Sequence, residues 1–204
     1  LFAVTALLIG RLGEVPAAAH QVALNVATLC FMLPFGIAEA TTIRVGHALG
    51  RGDAAGVRRA AFAGLTLAMC TQILSASTML LGHHAIASLY SADPAVIALG
   101  GSLLLYAALF QLPDGVQVVS AGALRGLKDT RVPMWLAVLA YWGIGMPVGA
   151  WLGLGLNGGP RGMWLGLTAG LLVAAILMAR RFLRSSQPQR LANTFSHRPM
   201  TDGA

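Results

Sequence analysis

Charged residues are scarce in this sequence. Only 10% of its 204 residues are Asp, Glu, Lys or Arg, whereas 56% are hydrophobic, and the mean hydropathy is +0.71. This balance is typical of a membrane protein rather than of a soluble domain. The basic residues also lack the interleaved aromatic side chains of a single-strand binder, which argues against nucleic acid as a partner.

Cysteine and clustered metal ligands are also rare. Cys30 and Cys70 are the only cysteines, and their positions suggest neither a disulfide framework nor a metal site. We expect them to be two small buried side chains. A membrane-embedded enzyme would need a metal cluster, or a nucleophile with its base, inside the apolar segments, and we find only Asp114 there. The sequence therefore does not support an enzyme, and we expect no cofactor.

Long apolar runs, by contrast, are abundant. A helix rises about 1.5 Å per residue and needs roughly 20 residues to cross about 30 Å of hydrocarbon. The sequence has five stretches that meet this requirement, and they predict an all-α, polytopic transmembrane helix bundle. With a partial first helix, the expected spans are about 1–10, 17–43, 60–82, 95–123, 133–156 and 162–181.

The first ten residues, LFAVTALLIG, have no basic leader and no small-residue cleavage site, and they do not begin with methionine. We interpret this segment as the second half of a truncated helix rather than as a signal peptide.

Basic residues concentrate in alternate loops. Twelve of the 14 Lys and Arg residues lie between the second and third spans, between the fourth and fifth, or after the sixth. They are Arg44, Arg51, Arg58, Arg59, Arg125, Lys128, Arg131, Arg180, Arg181, Arg184, Arg190 and Arg198. Because Lys and Arg accumulate in cytoplasmic loops, the C-terminus is predicted to be cytoplasmic. Residues 1–184 then form the transmembrane region, and the polar residues 185–204 form a disordered cytoplasmic tail.

Glycine is abundant, with 25 residues, and its spacing has a packing explanation. Gly162, Gly166 and Gly170 recur every four residues, as do Gly149 and Gly153. Glycines at this spacing share one helix face and let a second helix approach closely. We interpret them as packing grooves and not as ligand sites.

Polar residues inside the spans are the functional candidates, because an Asp at the membrane centre costs about 2.5–3.5 kcal/mol on insertion scales. The segment FQLPDGVQ (110–117) contains Asp114 directly after Pro113. Pro113 is expected to break the helix there, and a broken helix with a carboxylate near mid-membrane suits an ion-coupled transporter. The alternative is that Asp114 caps a half-helix or pairs with a neighbour.

Other polar and helix-bending residues have weaker interpretations. Gln111, Gln117 and Asn25 are candidates for the same site but could equally bond neighbouring helices together. Glu39 lies near the cytoplasmic interface, where it is expected to be solvated or paired. Pro34 is expected to kink the second span and to act as a hinge with Pro113.

Three stretches together resemble the C-terminal half of a multidrug and toxic compound extrusion (MATE) transporter of the NorM type. They are AAHQVALNVATLCFMLPFGIAEATTIRVGHALGRGD, FQLPDGVQVVSAGALRGLKDTRVP and YWGIGMPVGAWLGL, and the resemblance covers Leu1 to about Arg184. It implies a six-helix lobe, helices seven to twelve of a two-lobed, twelve-helix exporter in the inner membrane. It also implies that the N-terminal lobe is a missing partner and that membrane lipid surrounds both.

The resemblance carries roles onto individual residues. Asp114 falls on a tenth-helix aspartate used in cation coupling, so an Na⁺ or H⁺ would be exchanged there for an organic cation or drug. Phe110 stands where NorM-type members can carry a tyrosine over the cation site, which leaves the coupling ion open. Asn25 stands where some relatives carry a glutamate.

Two further functions remain as alternatives to efflux. A flippase for a lipid-linked oligosaccharide has the same general architecture, but it would be expected to line its cavity with cationic residues. A purely structural subunit would have no reason to keep FQLPDGVQ near mid-membrane.

Overall fold

The computed structural model describes residues 2–187, which form six helices joined by short loops. They are α1 (Phe2–Gly10), α2 (Glu14–Gly50), α3 (Ala54–Tyr90), α4 (Pro94–Gly126), α5 (Arg131–Gly155) and α6 (Gly159–Ser185). Helices α2 to α6 are each long and apolar enough to cross a membrane. The prediction of an all-α transmembrane bundle with a short first helix is confirmed.

Helices α2 and α3 continue well beyond their apolar spans. Each has 37 residues, which gives a length of about 55 Å at 1.5 Å per residue. Hydrophobicity marks only the part of a helix that lies in hydrocarbon, so the ends that reach into the headgroup region were not included in the predicted spans. The predicted disordered tail falls almost wholly outside the described residues, which end at residue 187.

Helix α4 lies at the centre of the bundle, where it packs against α2, α3 and α6. Most of its apolar side chains are buried, and Leu103, Leu104 and Leu124 are completely inaccessible, whereas Leu105 and Leu109 are exposed. The covered side of such a helix can carry polar residues at membrane depth without exposing them to hydrocarbon.

Glycines bring α5 and α6 into backbone contact, as their spacing predicted. A Cβ added to Gly166 would overlap the Cα of Gly149, and one added to Gly170 would lie 2.7 Å from the Cα of Gly145. Helix α5 also contains two π-helical turns, at Tyr141–Gly145 and Trp151–Gly155. The hydrophobic effect does not drive helices together in lipid, so dispersion contacts between the closely packed backbones hold α5 and α6 together.

The two prolines that were predicted to bend helices lie inside helices that continue without interruption. Pro34 is within α2 and Pro113 is within α4, so the predicted helix break at Pro113 is wrong. Neighbouring helices can satisfy backbone groups near a membrane proline. In the turn before Pro113, the side-chain amide of Gln72 donates to the Gln111 carbonyl at 2.8 Å. The hinge role of the two prolines stays a prediction.

Caps and ion pairs stabilise the polar ends of the helices. Asp53 accepts a hydrogen bond from the Gly56 amide at 2.7 Å and so caps α3. Arg125 on α4 donates to Glu39 on α2 at 2.7 Å, so Glu39 is paired. The expectation of two buried cysteines is wrong, because Cys70 is exposed and Cys30 is only half-buried.

The glycine contact between α5 and α6 gives the first testable prediction. Gly166→Ala should destabilise the full-length protein by about 1–3 kcal/mol, because the added methyl overlaps the α5 backbone. Gly143→Ala is the matched control, since no atom lies within 4 Å of its Cβ position. That change should be neutral or stabilising, because alanine reduces the freedom of the unfolded chain. Thermal unfolding in detergent measures both, and equal effects would contradict the close packing.

Candidate functional site

A cavity of about 350 Å³ opens between the helices that surround the middle of α4. This volume is within the range of about 300–1,000 Å³ found for small-molecule sites. Its walls are mainly aliphatic and aromatic, with few polar groups. The lining residues are Phe2, Leu24, Ala27, Thr28, Phe31, Phe110, Asp114, Gln117, Tyr141, Trp164, Leu167 and Leu171.

Asp114 provides the one acidic side chain among those lining residues. It is 6% exposed, and no residue between 2 and 187 gives its carboxylate a hydrogen bond or an ion pair. Tyr141 of α5 lies close enough for an electrostatic interaction with it. The alternative that Asp114 caps a half-helix or pairs with a neighbour is therefore wrong for the described part of the chain. A buried carboxylate without a partner is costly as an anion, so it favours binding a cation or a proton.

Aromatic rings form one wall of the cavity in a continuous series of edge contacts. Phe110 packs edge-on against Phe2 and Trp164, with ring centroids 6.0 and 5.9 Å apart. The Trp164 indole in turn meets the ring of His20 and donates from Nε1 to its Nδ1 at 3.2 Å. Trp164 and His20 are almost completely buried. The hydrogen bond fixes the indole plane, so this wall is held in place before any ligand binds.

The predicted site residues divide into two groups. Phe110, Asp114 and Gln117 line the cavity. Gln111 is completely buried on the side that faces α3, where the Gln72 amide donates to its side-chain oxygen at 3.1 Å. Asn25 is exposed and is absent from the lining.

Helical geometry explains this division around Asp114. At about 100° per residue, Phe110 and Gln117 fall within about 20° of each other on one side of Asp114. Gln111 falls about 60° away on the opposite side. The structure therefore assigns Gln111 to the interface of α3 and α4, where it bonds two helices together.

Sequence reasoning missed the cavity residues that belong to other helices. Tyr141 and Trp164 are aromatic residues in apolar spans, and nothing in their immediate sequence separates them from ordinary packing residues. Phe31 and Thr28 are similarly inconspicuous in α2. One signal was available in the sequence. A Trp and a His that are buried inside spans each need a hydrogen-bond partner, so Trp164 and His20 could have been predicted to bond to each other.

A buried, unpaired carboxylate inside a bundle of membrane-length helices marks a candidate ion or substrate site. The model of the MatE family matches residues 1–151. The chain therefore belongs to the MatE family, and the predicted resemblance is confirmed. Its membrane-length helices and its family membership make it a multi-pass membrane protein and not an enzyme.

Curated relatives agree with the family assignment. The chain is 66% identical over 187 residues to a probable multidrug resistance protein NorM of Xanthomonas axonopodis pv. citri, covering 92% of this chain and 41% of the relative. It is 50% identical over 191 residues to the multidrug resistance protein PmpM of Pseudomonas aeruginosa, covering 92% of this chain and 40% of that relative. The chain thus spans about two fifths of the length of the curated relatives that it matches.

Solved structures establish the same fold. The eukaryotic MATE transporter AtDTX14 matches with a TM-score of 0.87 at 22% identity, covering 95% of this chain and 43% of that one. An outward-facing multidrug resistance MATE family transporter matches with a TM-score of 0.83 at 18% identity, covering 94% of this chain and 42% of its own.

The different positions of Gln111 and Asn25 give the second prediction. Gln111→Ala should lower stability by about 1–3 kcal/mol, because it removes a buried partner of the Gln72 amide. Asn25→Ala should change stability by no more than about 0.5 kcal/mol, because its side chain is exposed. Thermal unfolding of the full-length protein in detergent measures both. A larger effect at Asn25 than at Gln111 would contradict the assignment.

Proposed function

We propose that this chain forms the C-terminal lobe of a multidrug efflux antiporter that exchanges Na⁺ or H⁺ for organic cations. The observation that carries the proposal is the unpaired carboxylate of Asp114 inside a cavity with aromatic walls. The multidrug resistance names of the NorM and PmpM relatives support it. The proposed location is the inner membrane, with the C-terminus in the cytoplasm, because the basic residues lie in alternate loops.

Coupling follows from competition for one carboxylate. Burial opposes a bare negative charge, so Asp114 is stable when it holds a proton, an inorganic cation or a cationic ligand. An organic cation and the coupling ion therefore exclude each other at the same position. Entry of the ion down its gradient displaces the drug, and this exclusion links ion entry to drug exit.

The aromatic wall suits an organic cation with a large apolar body. Phe31, Phe110 and Trp164 line the cavity, and aromatic rings attract cations by about 0.5–2 kcal/mol. None of the lining residues is Lys or Arg. The flippase alternative would require cationic groups for the anionic linkage of a lipid-linked oligosaccharide, so efflux of cations fits this lining better.

The coupling ion is proposed as Na⁺ or H⁺ without a choice between them. Thr28, Gln117 and Tyr141 bring oxygen-bearing side chains to the same cavity as Asp114. Such oxygens suit Na⁺, whereas a carboxylate alone suffices for a proton. Phe110 brings no hydroxyl group, unlike the tyrosine expected in some relatives.

The complete transporter requires the remaining three fifths of the protein. We propose that a second six-helix lobe closes over the cavity and that the two lobes rock about it. Pro34 and Pro113 are the proposed points at which α2 and α4 bend during this motion.

The third prediction tests the role of the carboxylate. Asp114→Asn in the full-length protein should abolish ion-driven efflux of a cationic dye such as ethidium, because the amide cannot exchange a charge. Glu14→Gln is the matched control, since Glu14 is an exposed carboxylate outside the cavity. Efflux from proteoliposomes is measured under a Na⁺ gradient and, separately, a pH gradient, which also identifies the coupling ion. Undiminished, still ion-driven efflux by the Asn variant would refute the proposal.

The fourth prediction tests the aromatic wall. Phe31→Leu should weaken binding of ethidium roughly threefold to tenfold, because leucine keeps the apolar volume but loses the cation–π attraction. Phe35→Leu is the control, because Phe35 packs against Phe31 at 5.8 Å but does not line the cavity. Binding is measured by fluorescence on the purified full-length protein. Equal weakening by both variants would show that the Phe31 face does not contact the cation.

A further inference from the structure

A second concavity, of about 470 Å³, lies between α2 and α3 at the end of the bundle that carries the α2–α3 loop. It shares no lining residue with the cavity around Asp114. We call it the α2–α3 cleft. Its lining residues are Ile37, Ala40, Thr41, Arg44, Ala48, Arg51, Asp53, Gly56, Arg59, Ala60, Ala63, Gly64 and Leu67.

The deep part of the cleft is apolar. The two helices meet closely at its floor, because a Cβ on Gly64 would overlap the Thr41 hydroxyl. Thr41 directs that hydroxyl to the Ile37 carbonyl at 2.7 Å and so offers the cleft no free donor. Ala40 and Ala63 are small and exposed on the two walls, so a groove remains open between the helices. A groove of this kind accepts hydrocarbon.

The mouth of the cleft is strongly basic. Arg44, Arg51 and Arg59 line it together with one acid, Asp53. Asp53 already caps α3 and lies 4.0 Å from the guanidinium of Arg59. Within residues 2–187, the guanidinium groups of Arg44 and Arg51 have no hydrogen-bond or ion-pair partner. The mouth therefore carries a net charge of +2, with two arginines available for a ligand.

The arginines at the mouth are placed to bind the phosphate of a lipid headgroup whose acyl chain lies in the adjacent apolar groove. Arg51 is the residue that caps the C-terminus of α2, and its seven-residue separation from Arg44 puts the two about 10 Å apart along the helix axis. Guanidinium groups bind phosphate oxygens through paired donors. Basic pockets between transmembrane helices on the cytoplasmic side are suited to anionic lipid headgroups.

From this arrangement we infer that the α2–α3 cleft is a binding site for one anionic phospholipid. The phosphodiester lies among Arg44, Arg51 and Arg59, and one acyl chain follows the groove between Ala40 and Ala63. The site is separate from Asp114, so the inference does not rest on the proposed transport function. Its other conceivable occupants are free phosphate and a segment of the missing lobe, and the experiment distinguishes them.

The test uses the full-length protein, stripped of lipid in detergent and titrated with phosphatidylglycerol under native mass spectrometry. The wild-type protein should retain one phosphatidylglycerol in preference to phosphatidylcholine. The double variant R44Q/R51Q should bind it roughly tenfold to thirtyfold more weakly, because each arginine near a lipid surface contributes about threefold to fivefold in affinity. R131Q/R184Q is the matched control, since it removes two exposed cytoplasmic-side arginines outside the cleft. That control should bind like wild type.

A second variant tests the apolar part without touching the charges. Ala63→Trp fills the groove from an exposed position, so it should fold normally and yet lose phosphatidylglycerol. Inorganic phosphate at matched concentration should not displace the lipid.

Four results would overturn the inference. Equal losses in the two double variants would indicate a diffuse charge effect. Displacement by phosphate, or unchanged binding in Ala63→Trp, would indicate a site for free phosphate. A wild-type protein with no preference for phosphatidylglycerol would indicate that the missing lobe covers the cleft.

Discussion

A carboxylate cannot face lipid, and this constraint organises the bundle. Asp114 lies near the middle of α4, so α4 must be surrounded by other helices rather than by hydrocarbon. The contacts of α4 with α2, α3 and α6 provide that enclosure. The remaining polar groups of α4 follow the same rule, since Gln111 is bonded to Gln72 and Gln117 approaches the sulfur of Met178. On the side of α4 toward Phe110 and Asp114 the surrounding helices leave a space, and that space is the cavity.

Enclosure of α4 also depends on how closely the outer helices can approach each other. Helices α5 and α6 meet at glycines, where Gly149 and Gly166 leave no room for a side chain. Because these two backbones are so close, α5 can place Tyr141 and α6 can place Trp164 on the same cavity. The small residues therefore position the large ones, and the aromatic wall is a consequence of the glycine contact.

The sequence predicted where the helices lie better than it predicted which side of each helix faces the cavity. Hydrocarbon demands long apolar runs, so the sequence could predict the spans, and it could single out Asp114 as a buried polar residue within one of them. The break at Pro113 was wrong, because the effect of proline on an isolated helix is overridden when neighbouring helices pack around it. Periodicity could separate Gln111 from Gln117, but it could not say which of them faces the cavity. That choice depends on Tyr141 and Trp164, which lie more than 20 residues away in the chain and on other helices.

The length of α2 and α3 has a mechanical consequence. Both helices extend far past the hydrocarbon, and the two ends joined by the α2–α3 loop are held together by a backbone hydrogen bond from the Asp53 amide to the Ala48 carbonyl at 2.9 Å. A long rigid rod acts as a lever, so a small tilt near Pro34 becomes a larger sideways displacement at Arg51. A contact that holds the outer end of α2 would therefore also resist a tilt near Pro34, which lies on a distant part of the same helix.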